Sequence, residues 1–273
     1  MKALVKQLLP PLLLKVFKQS ITPPPPAYKT YEEAIAACQN GAYQNNDLVK
    51  VVVDKNLVYK QKLQADTVFD LGTLRTLIAL GLSKTSNSLN VIDFGGGGGY
   101  HYTIASNAFG DKDSLKWNVV ETTAMANEAK RIANNNLKFF DSIADAMNDL
   151  GLVDLVFTSG ALQYCPSPLT FLKQLAEVNA KYLFITRTAF TDADEDIFSS
   201  QVSHLSSNGP GPLPTGYTDR KMTYPITYVS KSKAEEILRE KYHIQFTIIE
   251  DKAAYIVGSK EIDMFGYFCV RKS

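Results

Sequence analysis

The chain has 273 residues, 45% of them hydrophobic and 21% charged, with a formal net charge of +1. That balance excludes a disordered polypeptide and gives no electrostatic reason to expect nucleic acid as a partner. Three cysteines, Cys38, Cys165 and Cys269, stand too far apart for a metal-ligand or redox spacing, which suits a reducing cytoplasm.

Residues 1–18 carry Leu8, Leu9, Leu12, Leu13 and Leu14 between Lys2, Lys6, Lys15 and Lys18, with Pro10-Pro11 interrupting them. The apolar run is too short for a membrane span. Two readings stand: a helix packed on the domain or on the second subunit of a homodimer, or a basic amphipathic segment lying on an anionic membrane surface. Pro23 to Pro26 then form a stiff spacer. Residues 1–65 are thus expected as a helical and extended N-terminal segment, and 66–273 as the main domain. Within the first segment, Thr30 and Glu33 fit a capping box opening a helix through Cys38, closed by Gly41. Leu48 to Val53 is β-branched and predicts a short strand or an extended arm. Apolar residues at helical spacing predict a helix over Asp66 to Leu82 that covers one end of a ligand site.

The chain is organised around Val91-Ile92-Asp93-Phe94 followed by Gly95 to Gly99. An apolar strand, a glycine run and a helix over Tyr100 to Phe109 make a nucleotide-cofactor loop, because glycine lets the backbone approach a ligand closely. The dinucleotide fingerprint fails, since Tyr100 stands at its third glycine, and no Gly-Lys-Ser/Thr follows to make a phosphate loop. Strand and helix then alternate, as in a doubly wound α/β sheet. Strands are predicted at Leu115 to Val120, Leu137 to Phe140, Asp154 to Thr158 and Tyr182 to Ile185. Helices are predicted over Thr122 to Ala133 and Pro168 to Asn179, with another opened by Ser232 and Glu235. Gln245 to Ile249 and Phe265 to Val270 close the sheet, separated by a long excursion.

The glycine stretch resembles motif I of the class I S-adenosylmethionine (SAM) methyltransferases, and Asp154 to Tyr164 resembles their segment after the fourth strand. The resemblance covers residues from about 66 to the end. It implies a Rossmann-like seven-stranded doubly wound sheet, with an N-terminal helical extension and a substrate-capping insertion over 187–230. In that scheme Asp93, Gly95, Gly97 and Gly99 hold the methionine part of SAM. Glu121, ending the second strand, accepts the ribose hydroxyls. Asp141 and Ser142 meet the adenine, although Ser142 also fits a helix cap. Ser159 and Gly160 lie beneath the sulfonium. Gln163 stands where small-molecule members often carry His, so it and His204 are the catalytic candidates. His204 is one of three histidines, with His101 and His243.

Tyr164, Arg187, His204 and Tyr224 are expected on the acceptor, with Arg187 able to fork onto a carboxylate or phosphate. The acids Asp192, Asp194, Glu195 and Asp196 fit a helix start rather than a metal site. The glycine loop, the Leu-Gln-Tyr segment, the Ile-Thr-Arg strand end and the proline-broken lysine-bearing N-terminus resemble a family of methyltransferases associated with bacterial surface-polysaccharide genes. The expected activity is O-methylation of a small molecule, sugar or glycolipid precursor. Two alternatives stay open: an NAD-dependent oxidoreductase or epimerase, and a non-catalytic scaffold on the same fold.

Overall fold

The computed structural model describes residues 26–38, 42–84, 88–108 and 114–273. The contacts expected of residues 1–18, and the helix stop expected at Gly41, lie outside these residues. Among the described residues no helix is long and apolar enough to cross a membrane.

The chain enters through β1 (Ala27–Tyr28) and α1 (Tyr31–Ala36). Thr30 Oγ1 accepts from the Glu33 N–H, and the Glu33 carboxylate accepts from the Lys29 N–H, so the capping pair closes on both sides. Leu48 to Val53 is not a strand. It lies in the 20-residue helix α2 (Asn46–Ala65). Two effects outweigh its β-branched run: Asn45 Oδ1 accepts from the Asp47 and Leu48 N–H groups, and Leu48, Val49, Val51, Val52 and Val53 are all buried. The helix predicted from Asp66 starts only at α3 (Leu74–Ser83), because Asp70 caps a separate 3-10 turn over Leu71–Thr73.

From there strand and helix alternate through β2 (Leu89–Phe94), α4 (Tyr100–Ala108), β3 (Leu115–Val120), α5 (Thr123–Ala129), β4 (Leu137–Phe140), α6 (Ile143–Leu150), β5 (Leu155–Ser159), α7 (Pro168–Glu177) and β6 (Tyr182–Thr191). β7 (Ile197–His204), β8 (Lys221–Ser230), α8 (Lys231–Lys241), β9 (Tyr242–Val257) and β10 (Lys260–Arg271) complete the chain. α5 is shorter than predicted, running into a 3-10 turn over Lys130–Ile132. α8 begins before Ser232, so the pair expected to open it lies inside its first turns.

Strands β4, β3, β2, β5 and β6 lie side by side in parallel, β10 adds antiparallel to β6, and β9 adds antiparallel to β10. This is the seven-stranded doubly wound Rossmann-like sheet with a closing hairpin. Alternate residues serve opposite faces. Val91, Trp117, Phe157 and Phe184 join one core with α2 to α5, while Ile92, Val156 and Leu183 join the other with α6 to α8. Strand order reverses between β2 and β5, and a ligand crevice opens outside the carboxyl ends of strands at such a point.

The insertion over 187–230 departs from expectation. It contains a ribbon, with β7 antiparallel to β8, β1 antiparallel to β7, and the last residues of β6 running parallel to β8. The Asp192 to Asp196 cluster opens no helix. It turns β6 into β7, where Asp196 Oδ1 accepts from the Ser230 N–H at 2.7 Å and Glu195 pairs with Lys233. The excursion expected before the last strand is also hairpin, turned at Gly258 with φ +60°.

Candidate functional site

β2 ends at Phe94, and the chain turns through Gly95 at φ +75°, its N–H donating to the Val120 carbonyl at 2.8 Å. A Cβ at Gly95 would lie 2.1 Å from the Ala161 Cβ, so the loop after β5 presses directly on the glycine run. Asp93 sits beneath this run rather than in front of it. It is fully buried, its carboxylate paired with His101 Nδ1 at 2.9 Å and accepting from Trp117 Nε1 at 3.0 Å. A Cβ on Gly96 would come 2.3 Å from Asp93 Oδ2. Asp93 therefore shapes the loop from behind and does not line the cleft in front. Gly99 faces Leu137 of β4 and also stays out of the cleft lining.

That cleft encloses about 1400 Å³ at the carboxyl ends of the strands, room for more than one drug-sized ligand. Gly95, Gly97, Glu121, Asp141, Ser142, Ser159 and Gly160, all predicted on the cofactor, line it together. Glu121 is the hinge of this group. Its Oε1 accepts from the Gly97 N–H at 3.0 Å and its Oε2 from the Thr122 N–H at 2.9 Å. Burial pushes its carboxyl above the usual glutamate range, while the two N–H bonds pull the other way. Asp141 is exposed and accepts from Thr123 Oγ1 at 3.0 Å, and Ser142 caps α6 through the Asp145 N–H at 3.4 Å. Ser142 thus has a helix-capping bond whatever else it meets.

The other half of the cleft is aromatic and amidic. Tyr43 stacks on Tyr224 with centroids 4.9 Å apart and tilts against Tyr164 at 5.3 Å. The Tyr164 hydroxyl donates to Gln201 Oε1 at 2.7 Å, and Tyr224 accepts from Asn208 Nδ2 at 2.8 Å. Burial pushes the Tyr224 phenol up to about 12, so it stays protonated at neutral pH. Gln163 is buried and donates from Nε2 to the Arg187 carbonyl at 3.1 Å, while its Oε1 has no partner. Arg187 lines the same wall. His204 does not: its exposed ring ends β7 on the outer side, with Nδ1 3.6 Å from Asp219 Oδ2, so the structure does not bring it to the site.

Sequence reasoning missed several lining residues, Asn56 and Tyr43 among them. Asn56 of α2 leans over the glycine run, where a Cβ on Gly98 would meet its Nδ2 at 2.8 Å, and its buried Oδ1 has no partner. Tyr43 precedes the same helix. The signal was Asn45 as an N-cap ahead of apolar residues at helical spacing, hidden under the β-branched run.

No protein-family model and no curated protein match the chain. Solved structures similar to it include a SAM-dependent methyltransferase from Aquifex aeolicus, at 19% identity over 77% of this chain and 97% of that one, with a TM-score of 0.41. A sugar N-methyltransferase from Streptoalloteichus is 13% identical over 73% of this chain and 87% of that one, with a TM-score of 0.46. A geranyl diphosphate C-methyltransferase from Streptomyces coelicolor is 10% identical over 78% and 84%, with a TM-score of 0.44. Likeness at this level carries no argument about ligand or reaction, which rest on the chain's own residues.

Proposed function

We propose that the chain is a SAM-dependent methyltransferase that O-methylates a small molecule, a sugar or a glycolipid precursor of a surface polysaccharide, working in the cytoplasm. The observation that carries the first part is the Glu121 carboxylate folded onto the Gly97 N–H at the point where strand order reverses. A dinucleotide places its pyrophosphate on the backbone N–H groups of such a loop. Here a carboxylate already lies there, and it would repel a phosphate and favour a ligand that brings hydroxyl donors and positive charge. The residues fit SAM in that sense: glycine backbone at Gly95 and Gly97 lining the cleft, an acid for a ribose diol, and unpartnered buried oxygens on Asn56 and Gln163.

When bound, SAM supplies a methyl group on a sulfonium, ready for in-line displacement. The protein's part is alignment, which accounts for most of the acceleration available to a two-substrate step. Gly95, packed on Ala161, fixes the cofactor half against the loop that begins the acceptor half. Gln163 Oε1, held by the bond from Nε2 to the Arg187 carbonyl, can accept from an acceptor hydroxyl and orient its lone pair. The stacked Tyr43 and Tyr224 give a flat apolar wall against which a sugar ring can rest.

Calorimetric titration with S-adenosylhomocysteine (SAH), NAD and NADP tests the cofactor. Saturable binding of the first alone supports the reading, and binding of a nicotinamide cofactor instead overturns it.

A further inference from the structure

The backbone at Arg187 is held in an unusual state. Its φ is +54°, in the left-handed region that a long side chain rarely enters. Such strain persists only where surrounding structure over-determines it, and it concentrates at ligand clamps. Here the peptides on both sides of Arg187 are gripped. The Glu250 carboxylate of β9 accepts from the Arg187 N–H at 2.7 Å and from the Thr186 hydroxyl, and is itself paired with Arg75 Nε of α3. The Arg187 carbonyl accepts from Gln163 Nε2 at 3.1 Å. Glu250 is almost wholly buried, with 7% of its side chain exposed. A buried carboxylate, a second arginine and a buried amide thus set one backbone conformation.

What that conformation presents is a cation. The Arg187 side chain passes over Gly160, where a Cβ would stand 3.5 Å from its Cζ. Among the described residues it has no carboxylate partner, and it is the one lysine or arginine lining the cleft. The cleft's three carboxylates, Glu121, Asp141 and Glu177, come from the ends of β3 and β4 and from α7, none from β6 or the ribbon. Around Arg187 stand phenols and amides instead. Tyr164 and Tyr255 line the cleft with Arg187, and burial pushes both phenols up while the Arg187 charge opposes this.

Resting on the methyltransferase reading, we propose that the acceptor carries an anionic group, phosphate or carboxylate, which Arg187 binds, and that Glu250 with Arg75 positions Arg187 for that purpose. The planar fork of a guanidinium suits either group through two parallel bonds. Gln163 Oε1 then takes a donor from the same molecule, so the acceptor joins an anion to a hydroxyl or amine.

The test uses the full chain saturated with SAH and three probes that share a sugar ring: glucose 6-phosphate, glucuronate and glucose. Calorimetry should give saturable binding of one or both anions and none of glucose, and the anion that binds identifies the source of charge. Arg187→Gln should weaken that binding by about tenfold or more while SAH affinity holds. Arg187→Lys, which keeps charge without the fork, should recover part of it. Glu250→Gln, checked by its melting curve, should weaken the anion without touching it. If Glu250→Gln does not fold, Arg75→Gln takes its place. Equal binding of glucose, no binding of either anion, or unchanged binding in Arg187→Gln would overturn the proposal. So would a matching loss of SAH affinity in Arg187→Gln, because the anion held would then be the cofactor's own carboxylate. Anion binding that depends on Arg187 in a protein that takes no SAH would reject the methyltransferase reading alone.

Discussion

Glu121→Gln separates binding from stability. The carboxyl is half-buried and its folded pKa lies above the ordinary value, so folding favours its protonated form. Its contribution to stability is therefore greatest at low pH and falls as pH rises from the unfolded to the folded value. At neutral pH a charge is being held in a poor solvent, and the neutral amide relieves that cost. Against this, glutamine accepts through one oxygen only, so either the Gly97 or the Thr122 N–H loses its bond, a loss of about 1 kcal/mol. The two effects nearly offset, and the melting temperature should move by only about 4 °C or less. Ligand affinity has no such compensation. A ribose diol donating two bonds to a carboxylate loses about 1 kcal/mol per bond when the acceptor becomes neutral, together about 30-fold in SAH affinity. Calorimetry with SAH at neutral pH, beside a melting curve, measures both. In the wild type, affinity should also decline with falling pH, beginning above the usual glutamate range, and that slope should vanish in the variant. An affinity within about threefold of wild type, joined to a large drop in melting temperature, would show that Glu121 is a strut of the glycine loop and not a ligand group.

Two other substitutions check the frame. Gly95→Ala meets both a left-handed φ and the Ala161 side chain at 2.1 Å, so SAH binding should fall by at least about 30-fold, the equivalent of 2 kcal/mol of strain and overpacking. Titration with SAH of a variant with an unchanged far-ultraviolet spectrum decides it. Asn45→Ala removes the cap shared by the Asp47 and Leu48 N–H groups, and thermal unfolding should show about 1 kcal/mol lost, a shift of about 2 to 4 °C.

The parallel sheet was legible because its signals are local. Leu137 to Phe140 is a strand with the predicted bounds, and the Gly95 to Gly99 run stops β2 where the sequence says it must. α2 was not legible, because Val51, Val52 and Val53 favour a strand on intrinsic grounds, and it takes the Asn45 cap together with their burial to overrule it. Asp93 was assigned to the ligand from its place before the glycines, but its partners Trp117 and His101 come from the next strand and helix, which spacing alone does not reveal. The acids from Asp192 to Asp196 resemble a helix start for the same reason a turn does: both place short acceptors beside free N–H groups. Nor could spacing bring Glu250 to Arg187, 63 residues away, since that meeting depends on β9 reaching past β10.

The two halves of the cleft have different origins, and this bears on how such a site acquires an acceptor. The loop after β2, the acid after β3 and the turn after β4 come from the sheet itself, at the end where any ligand of this fold must enter. The opposite wall is built from additions. Tyr43 belongs to the segment before β2, Gln201 and Tyr224 to the ribbon, and Tyr255 to the long closing hairpin. These additions also brace one another: Tyr43 stacks on Tyr224, β1 pairs with β7, and Lys55 of α2 donates to the Ser206 carbonyl in the connection between β7 and β8. The glycine loop has supports of its own in Asp93, Trp117 and His101, and it meets the ribbon through α2, whose Asn56 lies against Gly98. Arg187 stands where the two parts meet, on the strand of the sheet that continues into the ribbon. A charge at that junction can contact what either half binds, so the left-handed turn that aims it is best understood as setting which half it serves.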